Sequence, residues 1–215
     1  DPHVWLDPVN ARAMVREIVE VLSRADPHRA RRYQENGRTM IRRLQALDEE
    51  IRLRLGPVAA VPYIVFHDAY HYFGHRFGVE AAGSITVNPE APPSAQRIRE
   101  IHDKLTELGA ACVFSEPQFP PKIVDTVIEG TDARTGVLDP LGAGLEDGPD
   151  LYFLLLENLA GNLTDCFPDR VCGGCGLHAR LERERAPAQP AVECRPRPVR
   201  VPLVLTQVQV QAAHE

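Results

Sequence analysis

The chain has 215 residues, 44% hydrophobic and 25% charged, which is enough apolar sequence to bury a sizeable core in one or two domains. A net charge of −6, with no basic stripe interleaved with aromatic residues, argues against nucleic acid as a partner, and no apolar run approaches the roughly 20 residues of a membrane helix. Five cysteines are an odd count, leaving room for one or two pairs and at least one free thiol.

His3 stands just before a helix start. Asp7 is a good N-cap, Pro8 suits the first helical position, and Ala11, Met14, Ile18, Val21 and Leu22 recur at helical spacing. The Asp-Pro start signal returns at Asp26-Pro27, and Met40, Leu44, Leu47, Ile51 and Leu55 form one stripe of a second helix over about residues 28–55. That helix would span roughly 40 Å, and its other face, dense in Arg and Glu, reads as solvated.

After residue 60 the pattern changes. Short apolar runs at 63–66, 84–87, 111–115 and 136–138 alternate with helical stretches: 69–77 first, then one capped by Ser94, striped by Ile98, Ile101, Leu105 and Leu108, and stopped by Gly109. A last helix, from 151 to about 166, follows the turn Asp147-Gly148-Pro149. Such alternation predicts an α/β fold with a four-stranded, mostly parallel sheet flanked by helices on both faces, preceded by the long helix.

The residues leaving each strand are the informative ones. His67 follows the first run, Asn88-Pro89-Glu90 the second, Glu116-Pro117 the third and Asp139-Pro140-Leu141-Gly142 the fourth. In a parallel sheet these positions share the carboxyl edge, where such folds bind ligands. With His3 supplied from another segment, the histidines and carboxylates make an N/O donor set suited to a first-row divalent cation, Zn²⁺ above all. Taken singly, each is ordinary: a histidine at a strand end commonly caps or packs, and Asp-Pro commonly turns.

Five motifs carry a resemblance: DPHVWLD (1–7), VFHDAY (65–70), TVNPE (86–90), VFSEPQF (113–119) and VLDPLG (137–142). In order and spacing they resemble the cluster A-I substrate-binding proteins of metal-uptake ABC transporters, the zinc-uptake type in particular, from residue 1 to about 167. The resemblance implies two α/β lobes joined by one long helix, and metal bound by histidines at the positions of His3 and His67. Manganese-type relatives carry a carboxylate at the second position, so His67 favours zinc. It implies a carboxylate ligand at Asp139 and a supporting role for Glu116. It further implies a disulfide between Cys112 and Cys166, a periplasmic location, and a monomer handing its zinc ion to a membrane permease. Residues 1–26 are expected to be a remnant of the amino-terminal lobe and its first helix, 27–57 the connecting helix, and 58–167 the metal-binding lobe. The chain is expected to lack the family's whole amino-terminal lobe.

Residues 168–215 follow no family pattern. Six prolines from Pro168 to Pro202 and Arg-rich sequence predict an unpacked extension, while Cys172-Gly173-Gly174-Cys175, with His178 and Cys194 nearby, is a lone pair without a second half. Val201 to Val210 alternates as an edge strand does. The competing class is an enzyme, because His67-Asp68-Ala69-Tyr70-His71 echoes the H-E-x-x-H pattern of zinc hydrolases. The echo is poor: Asp is a methylene shorter than Glu, and His67 lies at a strand exit. His71 and His75 share a helical face and read as an exposed polar stripe. A third reading is a remnant that folds and binds nothing useful.

Overall fold

A computed structural model describes residues 1–86, 88 and 91–167 of the chain. Asp7 and Pro8 act as their chemistry dictates: Asp7 Oδ1 accepts from Val9 N at 2.7 Å, and α1 runs Pro8–Ala25. After one 3-10 turn, α2 runs Ala30–Leu55, with α1 folded back against it. Gly37 permits that approach, since a Cβ there would lie 2.5 Å from Val19 Cγ2.

This crossing decides which apolar residues of α1 are covered. Ala11, Val15 and Val19 are turned inward, whereas Met14, Ile18, Val21 and Leu22 are exposed. One helix can bury only one stripe against one neighbour, and the small Gly37 makes the valine side the closer fit.

From residue 63 the predicted alternation appears: β1 (Tyr63–His67), α3 (His71–Phe77), β2 (Gly83–Thr86), α4 (Ala95–Leu108), β3 (Cys112–Ser115), α5 (Lys122–Ile128), β4 (Arg134–Val137) and α6 (Leu151–Cys166). The strands pair in the order β2-β1-β3-β4, every pair parallel. Successive residues of β1 point to opposite faces and so enter two cores. Tyr63 and Val65 pack with Leu44, Leu47 and Ile51 of α2 and Leu156 and Leu159 of α6, while Ile64 and Phe66 pack with Ile101 and Leu105 of α4 and Val124 and Val127 of α5. The chain steps from β1 to β2 in one direction and from β2 to β3 to β4 in the other. Right-handed crossovers therefore put α3 on the face of α2 and α6, and α4 and α5 on the opposite face.

Two boundaries differ from those expected. The helix read from residue 69 begins at His71, because Ala69 N donates to His67 O (2.9 Å) in a turn that comes first. The last strand is Arg134–Val137 rather than 136–138: its partners run from Cys112↔Arg134 to Ser115↔Val137, so the apolar run marks only the strand's end.

A disulfide joins Cys112, at the start of β3, to Cys166, at the end of α6, with Cα atoms 6.3 Å apart. At the other end of the sheet, Trp5 Nε1 donates to Pro140 O (3.0 Å), Tyr152 Oη donates to Trp5 O (2.8 Å), and Leu6 is fully buried. These contacts fasten the first residues of the chain to the loop after β4 and to α6. The expectations for Val87, Pro89, Glu90 and 168–215, including Cys172, Cys175, His178 and Cys194, lie outside the described residues.

Candidate metal centre

The strand order reverses between β1 and β3, and in open α/β sheets the crevice beyond the carboxyl ends at such a reversal is the ligand site. His67 is the last residue of β1 and Glu116 the first residue after β3, so the two strands flanking the reversal deliver them side by side. Glu116 is buried, and its Oε1 lies 2.6 Å from His67 Nδ1 and 3.4 Å from His67 N. A carboxylate only accepts, so Nδ1 carries the proton and, in the neutral ring, Nε2 is left with its lone pair.

His3 arrives from outside the sheet on the segment that Trp5 and Leu6 anchor. Its ring centroid is 5.3 Å from that of His67 and 5.1 Å from that of Trp5. Asp1 Oδ1 accepts from His3 N at 2.9 Å and lies 2.6 Å from His3 Nδ1. The second imidazole thus repeats the first: a carboxylate on Nδ1 and a free Nε2, the pairing that orients metal-bound histidines and raises their basicity. Burial, and next the facing imidazole of His67, hold the His3 pKa below its usual value, so the ring is neutral at neutral pH.

Distance tests the fit. With Zn–N bonds of roughly 2.0–2.1 Å, two imidazoles on one tetrahedral ion place their ring centroids about 5 Å apart. The observed 5.3 Å matches. Phe119 packs edge-on to His67 at 6.1 Å and stacks on Phe66 at 4.7 Å, an apolar wall beside the pair. Tyr70, whose hydroxyl donates to Leu138 O at 3.0 Å, is held protonated by burial and then by the charge of Glu116.

Asp139 is placed differently. Its Oδ1 accepts from Gln118 Nε2 (2.8 Å) and Leu141 N (3.0 Å), and Oδ2 from Ala143 N (2.6 Å). These bonds shape the loop after β4, and none goes to either imidazole. A carboxylate has about four lone-pair positions, so one remains for an ion. Among the described residues, no three His, Cys, Asp or Glu side chains are gathered round one ion position. The structure therefore brings the His3 and His67 rings together and leaves Asp139 engaged in its own loop. The hydrolase echo has no structural counterpart: His67 ends a strand and His71 begins α3, so the two do not share a helix.

Sequence reasoning passed over Asp1, Trp5, Tyr152, Phe119 and Gln118. Asp1 had a local signal, since an Asp two residues before a site histidine readily forms a side-chain-to-backbone turn. The others act across the fold, and no local pattern announces them.

Residues 1–166 match the family model described as the periplasmic zinc-uptake complex component A, ZnuA. The chain belongs to the ZnuA family. The high-affinity zinc uptake system protein ZnuA of Brucella abortus (strain 2308) is 56% identical over 168 residues, which cover 78% of this chain and 50% of that protein. ZnuA of Paracoccus denitrificans is 42% identical over 167 residues, 77% of this chain and 51% of its own length. A crystal structure of ZnuA aligns with a TM-score of 0.68 at 27% identity, covering 77% of this chain and 60% of that one. The chain spans about half the length of the ZnuA relatives it matches. Among the described residues, no helix is long and apolar enough to cross a membrane.

Proposed function

We propose that this chain supplies one wall of a zinc-binding site in a periplasmic carrier that hands its ion to an ABC-type importer. Nε2 of His3 and of His67 bind the ion, Asp139 is the third ligand, and Glu116 and Asp1 orient the imidazoles. The observation that carries this reading is the imidazole pair, 5.3 Å between centroids, each Nδ1 on a carboxylate. Two imidazole nitrogens suit a borderline-soft ion, whereas manganese prefers oxygen donors, so zinc is favoured over manganese. The roles of carrier and permease partner rest on the ZnuA relatives. A carrier performs no covalent step, and nothing in the pair requires one.

A two-imidazole wall leaves coordination positions open. We place their closure on the part of a full-length relative that these residues do not represent, and the exposed Met14, Ile18, Val21 and Leu22 face of α1 is an apolar surface that such a part would cover.

Zinc affinity measured by competition with a chelator tests the assignment. Glu116→Gln should weaken binding about 10- to 100-fold through loss of imidazole orientation, and His67→Ala should weaken it further. Unchanged affinity in His67→Ala would remove the pair from the site. Turnover of a peptide or ester substrate by the zinc-loaded chain would replace the carrier reading with an enzymatic one.

A further inference from the structure

Helix α3 carries metal-binding chemistry that the interior pair does not use. His71 and His75 are four residues apart, both exposed, with ring centroids 6.2 Å apart and planes within 17° of parallel. Four residues are about one helical turn, roughly 6 Å of rise, so the rings stand one above the other on a single face. Beyond the left-handed Gly78, the chain returns and brings Glu80 Oε1 to 3.4 Å from His75 Nδ1. With that carboxylate accepting from Nδ1, the neutral ring of His75 keeps its Nε2 lone pair. Among the described residues, no hydrogen bond engages the ring nitrogens of His71.

We propose that His71 and His75, steadied by Glu80, form a second and weaker site for a first-row divalent cation, zinc in this setting, on the outer surface of the lobe. Histidines at i and i+4 of a helix are a recurrent zinc chelate. Shared binding needs ring centroids about 5 Å apart, by the same Zn–N bond lengths of roughly 2.0–2.1 Å used above. Solvent-exposed rings reach that spacing by a small side-chain rotation, with water completing the shell. The site is distinct from the interior pair, because His67 ends β1 and is buried against Glu116, whereas His71 and His75 open to solvent. Exposure also sets its character. The side chains must be ordered on binding, no dry pocket encloses the ion, and exchange with free ions is rapid.

The test is a calorimetric zinc titration of the full oxidised chain in four forms: parent, H71Q/H75Q, H67A, and H67A with H71Q/H75Q. Cys172, Cys175 and Cys194 are common to all four. The parent is expected to take up one more weak equivalent than H71Q/H75Q, with the same difference in the H67A background. Glu80→Gln is expected to weaken that equivalent about tenfold, as loss of an orienting carboxylate does elsewhere. All three side chains are exposed, so melting temperatures should not change. Equal stoichiometry in parent and H71Q/H75Q overturns the proposal. A difference that disappears in the H67A background overturns the independence of the site, while the interior assignment is judged separately by the tight phase.

Discussion

Reducing the Cys112–Cys166 disulfide should cost this domain a large share of its stability. The cross-link closes a loop with a sequence separation of 54, and in the chain-entropy model that restricts the unfolded chain by about 4 kcal/mol at 25 °C. For the roughly 167 residues that fold together, an unfolding entropy near 2.1 cal/mol/K per residue sums to about 0.35 kcal/mol/K, so the melting temperature should fall by about 12 °C on reduction. The comparison of choice is oxidised against reduced parent, because both sulfurs are buried and substitution would add a packing loss. C112A/C166A then measures that packing loss separately, against the reduced parent. A second signature identifies the cause. If the bond acts on the unfolded state, the reduced chain exposes more surface on unfolding and its urea m-value rises. Melts within about 2 °C of each other, with equal m-values, would refute the reasoning and mean that the native state already holds α6 against β3 without help.

Asp48 is buried and takes both Nε (2.9 Å) and Nη2 of Arg76, tying α2 to α3, so Asp48→Ala should cost about 3 kcal/mol by urea titration and Asp48→Asn clearly less. Gly136→Ala would bring a Cβ within 2.5 Å of the fully buried Phe114 ring, and a loss of about 1–3 kcal/mol is expected in the same assay. Zinc affinity should be level near pH 8 and fall as acid protonates the imidazoles. His3, whose pKa is lowered by burial and by His67, should begin to compete only below the usual value of about 6.5, and an NMR titration of its ring in the metal-free parent chain should place its midpoint below that value. Burial, then Glu50, raises the pKa of Glu157. The raised folded value means a charge penalty that is full above it and absent below the unfolded value of 4.5, so Glu157→Gln should raise the melting temperature at pH 7 and leave it unchanged near pH 4.

The sequence by itself determined the architecture, because the signals for it are local. Asp7-Pro8, Ser94 and Gly109 punctuate helices through backbone groups within a few residues, and the short apolar runs between helical stripes permit only a parallel sheet with helices on its faces. His67 and Glu116 were legible as strand-exit residues, since in such a sheet every strand end shares one edge. Which strand ends are neighbours was not legible. Only the order β2-β1-β3-β4 puts β1 beside β3 and brings Glu116 to 2.6 Å from His67, across 49 residues of chain. The same holds for His3, whose place depends on Trp5 reaching Pro140 and Tyr152 reaching back to Trp5. The apolar pattern of α1 identified a helix and left its buried side open. Periodicity reports that an apolar face exists, whereas the neighbour's shape, here the valine-sized notch at Gly37, decides which side is covered. Local chemistry fixes what each residue can do; the long-range packing of strands and helices decides which of them meet.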